Sequence, residues 1–218
     1  MPQACFVCGH DSGGALICDA CDAELPRQRA ACPVCAVPTA DGVRCGRCQS
    51  EPPAFDATRA CFAYGFPVDR MVQALKYRHR LGVAGFFAEA LLGLAAAPPA
   101  GAVLLPMPLH VQRLRARGFN QAVEIARPLA HAWALPLVLS GVARAVDGVP
   151  QASLPWQARQ ANVRGVFRGA ESFAGTTVVV VDDVMTTGAT LDELARTLKR
   201  QGAARVENLV VARTPPPA

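Results

Sequence analysis

The sequence lacks the long, uninterrupted apolar run that a membrane-spanning helix requires. Its longest apolar stretch, residues 90–105, is interrupted by Pro98, Pro99 and Gly101 and follows Glu89, so we expect no membrane span. The first residues have neither a basic start nor a long apolar segment, so we expect no secretory signal and a cytoplasmic protein. With 218 residues, half of them apolar, the chain can form one ordinary domain plus a small one.

Aromatic side chains are also scarce, at 6% of the residues, which argues against extensive base stacking along a nucleic-acid strand. The formal net charge of +5, from 22 basic and 17 acidic residues, taken alone favours nucleic acid as a partner. That count treats the nine cysteines as neutral. Two sites of four thiolates and one zinc ion would each add −2 and bring the net charge to about +1. The net charge therefore says little about partners, and the basic clusters at residues 76–80 and 113–117 say more.

Eight of the nine cysteines form four Cys-x-x-Cys pairs near the N-terminus, and the last four positions repeat the first four with an offset of 27. Each copy supplies the four thiolates of a tetrahedral zinc site and is too small to fold around a core of its own. The duplication favours one ion for each copy, with an interleaved pairing and a disulfide framework as alternatives. The predicted zinc ligands are Cys5, Cys8, Cys18, Cys21, Cys32, Cys35, Cys45 and Cys48.

Four consecutive valines near the C-terminal end, residues 178–181, predict a strand buried on both faces of a parallel sheet. Two aspartates follow where that strand should end, then a Thr/Gly turn at residues 186–190, then a helical pattern over residues 191–201. Ligands bind at the carboxyl ends of such strands, and helix N-termini offer free N–H groups to anions. This order of residues predicts an anion site at the turn.

The same segment predicts a site for ribose 5-phosphate. A phosphate at the turn would meet backbone amides and three hydroxyls, while Asp182 and Asp183 would accept hydrogen bonds from two sugar hydroxyls. The alternative is a buried strand whose acidic end caps the next helix. The ribose-phosphate interpretation fails if the two aspartates lie apart from the turn, or if they are buried with their charges already neutralised by neighbouring cations. The predicted phosphate contacts are Thr186, Thr187, Gly188, Ala189 and Thr190.

The thirteen residues 178–190 resemble the signature with which type I phosphoribosyltransferases bind phosphoribosyl pyrophosphate (PRPP). Upstream, a predicted strand leads into Pro106-Met107-Pro108, then His110, and then the run Arg117-Gly-Phe-Asn-Gln. This stretch resembles the competence-associated ComF family, and a double zinc ribbon ahead of a transferase-like domain is the layout of that family. The resemblance covers nearly the whole chain.

The resemblance implies an α/β fold, a type I phosphoribosyltransferase-like parallel sheet flanked by helices. The expected divisions are a double zinc ribbon at residues 1–50, a linker at 51–57, the transferase-like domain at 58–213 and a disordered tail at 214–218. In type I enzymes the loop after the strand corresponding to residues 103–105 binds pyrophosphate. The implied contacts here are Pro106, Met107, Pro108, His110, Arg113 and Arg117.

Residues 151–167 are similar to the flexible loop that closes over PRPP in this family, with an ordinary surface loop as the alternative. Gln151 and Arg159 are the candidates for closing contacts, and Arg159 joins the two aspartates as a candidate catalytic residue. The resemblance also implies a magnesium ion bound together with PRPP.

The resemblance implies a protein that binds PRPP or a related ribose phosphate and takes part in DNA uptake during natural transformation. Single-stranded DNA and the uptake machinery are the implied partners, and the ribbons either contact DNA or are purely structural. An active transferase with an unidentified acceptor and a PRPP sensor without turnover are the alternatives. Relatives are often labelled amidophosphoribosyltransferases, but that activity needs an N-terminal nucleophilic cysteine. Position 2 is Pro2 and Cys5 belongs to a predicted zinc knuckle, so we expect no glutamine-dependent activity.

Overall fold

Four parallel strands form the central sheet of the computed structural model, which describes residues 3–145, 165–169 and 171–215. The strands are β1 (Ala57–Ala63), β2 (Val103–Pro106), β5 (Thr177–Met185) and β6 (Arg205–Arg213), and their order across the sheet is β1-β6-β5-β2. Two short strands, β3 (Val142–Arg144) and β4 (Phe167–Gly169), pair antiparallel outside this sheet.

Helices cover both faces of the sheet. The described residues contain α1 (Asp19–Ala23), α2 (Gly46–Ser50), α3 (Val68–Arg78), α4 (Gly82–Leu94), α5 (Val111–Arg117), α6 (Gln121–Trp133) and α7 (Ala189–Arg200). Among them, no helix combines the length and the apolar character needed to cross a membrane.

The four valines place β5 in the middle of the core. Val178 and Val180 pack in the apolar cluster that includes Leu194 of α7, whereas Val179 and Val181 pack in the cluster that includes Phe87 of α4. Side chains alternate between the faces of a strand, so a run of valines supplies both clusters at once. The predicted α/β class, with a parallel sheet flanked by helices, is confirmed.

Two local predictions differ from the structure. The strand does not end before the aspartates, because β5 continues to Met185, which pairs with Arg213 of β6. Helix α7 starts at Ala189, within the predicted turn. Helix α5 follows the implied pyrophosphate loop at residues 106–110, and the side chain of His110 accepts from a backbone N–H at the start of that helix. Each difference extends an element into a stretch whose sequence pattern is polar.

Candidate functional site

The loop after β2 lies beside the end of β5 because the two strands are parallel neighbours. Pro106 pairs with Val181, and the backbone N–H of Met107 donates to the carbonyl of Val181 at 2.8 Å. Asp182 and Asp183 come next on β5. The carboxyl ends of two parallel strands therefore meet at one edge of the sheet, which is where ligands of such sheets bind.

A cavity of about 470 Å³ opens at this edge and contains both aspartates together with part of the Thr/Gly turn. Other walls come from the loop after β2 and from the ends of α3 and α5. The predicted site residues that line it are Met107, Pro108, Arg113, Arg117, Asp182, Asp183, Thr186, Gly188 and Thr190.

Four predicted contacts are not among the residues that line this cavity: Pro106, His110, Thr187 and Ala189. His110 is buried at the start of α5, where its Nδ1 accepts from the backbone N–H of Gln112 at 3.3 Å. The Thr187 hydroxyl, also buried, accepts from the N–H of Ala189 at 3.2 Å. Both side chains satisfy helix N-termini in this structure.

Two further predicted contacts, Gln151 and Arg159, lie outside the residues that the structure describes.

Gly188 allows the turn to follow the strand directly. Its φ of +85° lies in the left-handed region, and a Cβ at this position would lie 2.6 Å from Cε of Met185. Both facts favour glycine, since other residues meet steric strain in that region. The backbone can therefore reverse at Gly188 and begin α7 at Ala189.

The two aspartates have different environments. Burial, and then the adjacent Asp183, raise the pKa of Asp182 to about 7, although Lys76 lowers it. Oδ2 of Asp183 forms an ion pair with Nζ of Lys76 at 2.5 Å. Asp182 forms no ion pair with any other described residue. Both aspartates are buried, and Lys76 neutralises the charge of Asp183 but forms no ion pair with Asp182, so the ribose-phosphate site stays a prediction.

Lys76 also belongs to the candidate site, although from the sequence it was recognised only as part of the basic cluster at residues 76–80. It lies in the last turn of α3 and lines the same cavity as the aspartates. Burial lowers its pKa, but attraction to Asp183 outweighs burial and the net shift is upward, so the ammonium stays charged. Its position at the end of a helix that packs on the sheet is the signal that could have identified it.

Asn120, in the Arg-Gly-Phe-Asn-Gln run, holds the loop after β2 in place. Its amide nitrogen donates to the carbonyl of Met107 at 3.0 Å, and its amide oxygen accepts from the N–H of Ala122 at the start of α6. Arg117 donates to the side chain of Gln121, and its guanidinium lies 5.4 Å from the ring centre of Tyr77. These contacts hold the guanidinium of Arg117 at the cavity wall.

The eight N-terminal cysteines form two separate groups of four. Within each group the sulfur atoms all lie within 4.8 Å of one another. The groups follow the sequential pairing that the duplication favours, with the first copy in one group and the second copy in the other. Two sets of four sulfur ligands at this spacing fit two structural zinc ions.

Thiols of the first group differ in acidity because they lie so close together. Burial raises the pKa of Cys5, but the backbone N–H groups of Cys8, Cys18 and Val7 outweigh it and lower that pKa to about 6. Burial and hydrogen bonds with the neighbouring cysteines raise the pKa of Cys21 to about 12. Four sulfurs this close therefore do not all ionise alone, whereas a zinc ion would stabilise all four thiolates.

Comparison with known proteins agrees with this architecture. A family model described as a double zinc ribbon domain matches residues 1–49, and one described as a phosphoribosyl transferase domain matches residues 114–216. The chain is 33% identical over 223 residues to the DNA utilization protein YhgH of Salmonella typhimurium, with 98% of each chain covered. It is 28% identical over 179 residues to competence protein F of Haemophilus influenzae, with 78% of each chain covered.

A hypoxanthine phosphoribosyltransferase of Trypanosoma cruzi is similar to the chain at 19% identity, covering 66% of this chain and 73% of its own. The TM-score of 0.32 is too low for this likeness to carry weight.

The parallel sheet, the cavity at its carboxyl edge and the two cysteine groups define a phosphoribosyltransferase-like protein with an N-terminal double zinc ribbon. The chain belongs to the ComF family, together with the proteins named DNA utilization protein YhgH and competence protein F. The predicted family is confirmed.

Proposed function

We propose that this protein binds PRPP or a related ribose phosphate at the carboxyl edge of its sheet, and that it serves DNA uptake or DNA utilization. The observation that carries the first part is the cavity shared by Asp182, Asp183 and the turn that begins α7. The names of the relatives support the second part. The cavity combines acceptors for sugar hydroxyls with donors for a phosphate, and these are the two ends of a ribose 5-phosphate.

The proposed roles follow from the chemistry of each group. Backbone amides of the turn, with the hydroxyls of Thr186 and Thr190, would hold the 5-phosphate. Asp182, which has no ion pair with a described residue, would accept from the ribose hydroxyls once it is ionised. Arg113 and Arg117 line the same cavity and would receive the diphosphate, where fixed cations stabilise negative charge.

Magnesium suits this site through the chemistry of its donors. The ion prefers oxygen ligands and keeps several waters, so carboxylates beside a diphosphate are appropriate partners. Bound together with PRPP, it would neutralise part of the diphosphate charge. Lys76, already paired with Asp183, would hold that carboxylate in place beside the ion.

The test is calorimetry with PRPP and magnesium on the wild type and on the variant with Asp182→Asn and Asp183→Asn. We expect micromolar to millimolar binding by the wild type and none by the double variant, because both carboxylates are replaced by neutral amides. A matched control is Asp192→Asn, since Asp192 lies on α7 outside this cavity and binds the backbone N–H of Ala54. Undiminished PRPP binding by the double variant would contradict the proposal.

A measurement of turnover distinguishes an active transferase from a sensor that binds PRPP without reacting. A pyrophosphate-release assay across candidate acceptors should give product if the protein is a transferase, whereas binding without release would favour the sensor or the DNA-handling role.

The double variant also tests whether binding of single-stranded DNA depends on the two carboxylates. If the ribbons and the basic cluster at residues 113–117 contact single-stranded DNA, loss of the carboxylates should leave that binding largely intact.

A further inference from the structure

The two zinc-binding copies share the same cysteine spacing but pack on different parts of the sheet domain. Cys5 of the first copy packs in the apolar cluster that contains Phe62 and Phe87. In the second copy, Cys32, Cys35 and Cys48 pack in the other cluster, which contains Met185, just before the Thr/Gly turn, and Ala189 within it. Only the second copy therefore lies against the proposed phosphate-binding turn.

Arg213, the last residue of β6, joins the second copy to this turn. It is buried, with 3% of its surface exposed. Its Nε donates to the carbonyl of Cys35 at 2.9 Å, while its Nη1 donates to the carbonyls of Met185, at 3.2 Å, and of Thr186. One guanidinium thus binds the zinc knuckle with one nitrogen and the start of the turn with another, as its rigid fork of donors permits.

Arg47 makes a second connection from the same copy. It lies between Cys45 and Cys48, and its Nη1 donates to the carbonyl of Thr187 at 3.2 Å. The equivalent position in the first copy, 27 residues earlier, is Ala20. The arginine is therefore a difference between the two copies at the point where the second one meets the turn.

These contacts fix the direction of the backbone amides. In a planar trans peptide the N–H points away from the C=O of the same unit. Arg213 and Arg47 together hold the carbonyls of Met185, Thr186 and Thr187, so the N–H groups of residues 186, 187 and 188 point away from the arginines. Successive N–H groups directed to one side form the concave site that binds a phosphate.

We propose that Arg213 and Arg47 are positioning residues through which the second zinc knuckle orients the phosphate-binding turn. This inference rests on the proposed ribose-phosphate site. Neither arginine lies at the wall that would receive the diphosphate. Their loss should therefore weaken recognition of the 5-phosphate and spare that of pyrophosphate.

The main test is Arg47→Ala, which installs the residue of the first copy at an exposed position. Affinities for ribose 5-phosphate and for magnesium pyrophosphate are measured separately by calorimetry on the full, zinc-loaded chain. We expect a loss of about tenfold for ribose 5-phosphate, the effect of one hydrogen bond to a charged donor, and a change within about twofold for pyrophosphate. Zinc content should remain at that of the wild type.

Arg44→Ala is the matched control, because Arg44 is an exposed arginine of the same knuckle and forms no hydrogen bond with the turn among the described residues. It removes the same charge three residues away and should leave both affinities unchanged. Arg213→Lys is the second variant, which keeps the buried charge but loses the fork that reaches the knuckle and the turn together. It should also weaken ribose 5-phosphate selectively, with folding checked by circular dichroism.

The outcomes separate this inference from the function on which it rests. If the wild type binds neither probe, the proposed site itself is wrong and the inference fails with it. If the wild type binds ribose 5-phosphate and Arg47→Ala binds it as well as Arg44→Ala does, the site stands and the positioning role is wrong. Equal losses for both probes in Arg47→Ala and Arg213→Lys would also overturn it, because they would indicate a general structural effect.

Discussion

Asp182 and Asp183 are adjacent and chemically identical, yet β5 directs them to opposite faces. Because β5 continues to Met185, side chains still alternate at residues 182 and 183. Asp183 has the same parity along the strand as Val179 and Val181 and pairs with Lys76 of α3, whereas Asp182 has the parity of Val178 and Val180. The two carboxylates thus differ in their electrostatic environment: Asp183 has a cationic partner, and Asp182 has no ion pair with a described residue.

The raised pKa of Asp182 makes stability depend on pH. In the unfolded chain the pKa of this carboxyl is near its ordinary value of 3.8, whereas in the fold its pKa is about 7. The folded state therefore binds a proton more tightly, and the stability this contributes is complete below about pH 4 and is lost as the pH rises through about 7. We expect the free energy of unfolding, from urea titrations between pH 5 and 8, to fall with pH more in the wild type than in Asp182→Asn. Parallel pH profiles for the two proteins would contradict this assignment.

At the scale of elements, the Lys76–Asp183 pair joins the end of α3 to β5, elements that otherwise meet through apolar packing. The pair is largely removed from water, with 21% of the lysine side chain and 5% of the aspartate side chain exposed. Burying two charges is costly, so such a pair adds little net stability, but removing one partner leaves the other charge unpaired. The main effect of the pair is therefore to fix the position of the Asp183 carboxylate at the carboxyl edge of the sheet.

Lys76→Met should lower the free energy of unfolding by about 3 kcal/mol at neutral pH, because Asp183 would be left as an unpaired buried charge. Adding Asp183→Asn to the same chain should restore part of that loss, since no buried carboxylate would remain there. Urea denaturation of the wild type, both single variants and the double variant completes the cycle. Strictly additive losses would mean that the ion pair does not form.

At the scale of the whole molecule, each zinc-binding copy adds sulfur atoms to an apolar cluster of the sheet domain. The copies are too small to fold alone, so metal binding must supply most of the free energy that orders them. The sheet has its own core of valines and leucines on both faces and does not depend on zinc in this way.

Removal of zinc should therefore unfold the ribbons and spare the sheet. Elemental analysis should find two zinc ions per chain. After chelation, far-UV circular dichroism should keep the α/β signal while the melting temperature falls, because the edges of both clusters become exposed. Re-addition of zinc should restore the melting temperature. A chain that contains no zinc as purified and melts unchanged with a chelator would show that the cysteine groups do not bind this metal.

The local patterns of this chain were sufficient for the fold class, the two cysteine groups and the segment that forms the candidate site. A run of β-branched valines favours a strand that is covered on both faces. Paired cysteines at a fixed offset supply the four ligands of each zinc site. The aspartates and the Thr/Gly turn could be identified from the sequence because the residues that form them are consecutive.

Only the tertiary structure decided which groups surround that segment. Lys76, Arg47 and Arg213 are distant in sequence from the residues they bind, and no periodicity relates a cation on one element to a carbonyl or carboxylate on another. The end of β5 was likewise set by pairing with β6, and the roles of His110 and Thr187 by the helix N-termini they satisfy. Sequence determines local geometry through short-range sterics and hydrophobic period, whereas contacts between elements depend on how whole faces pack.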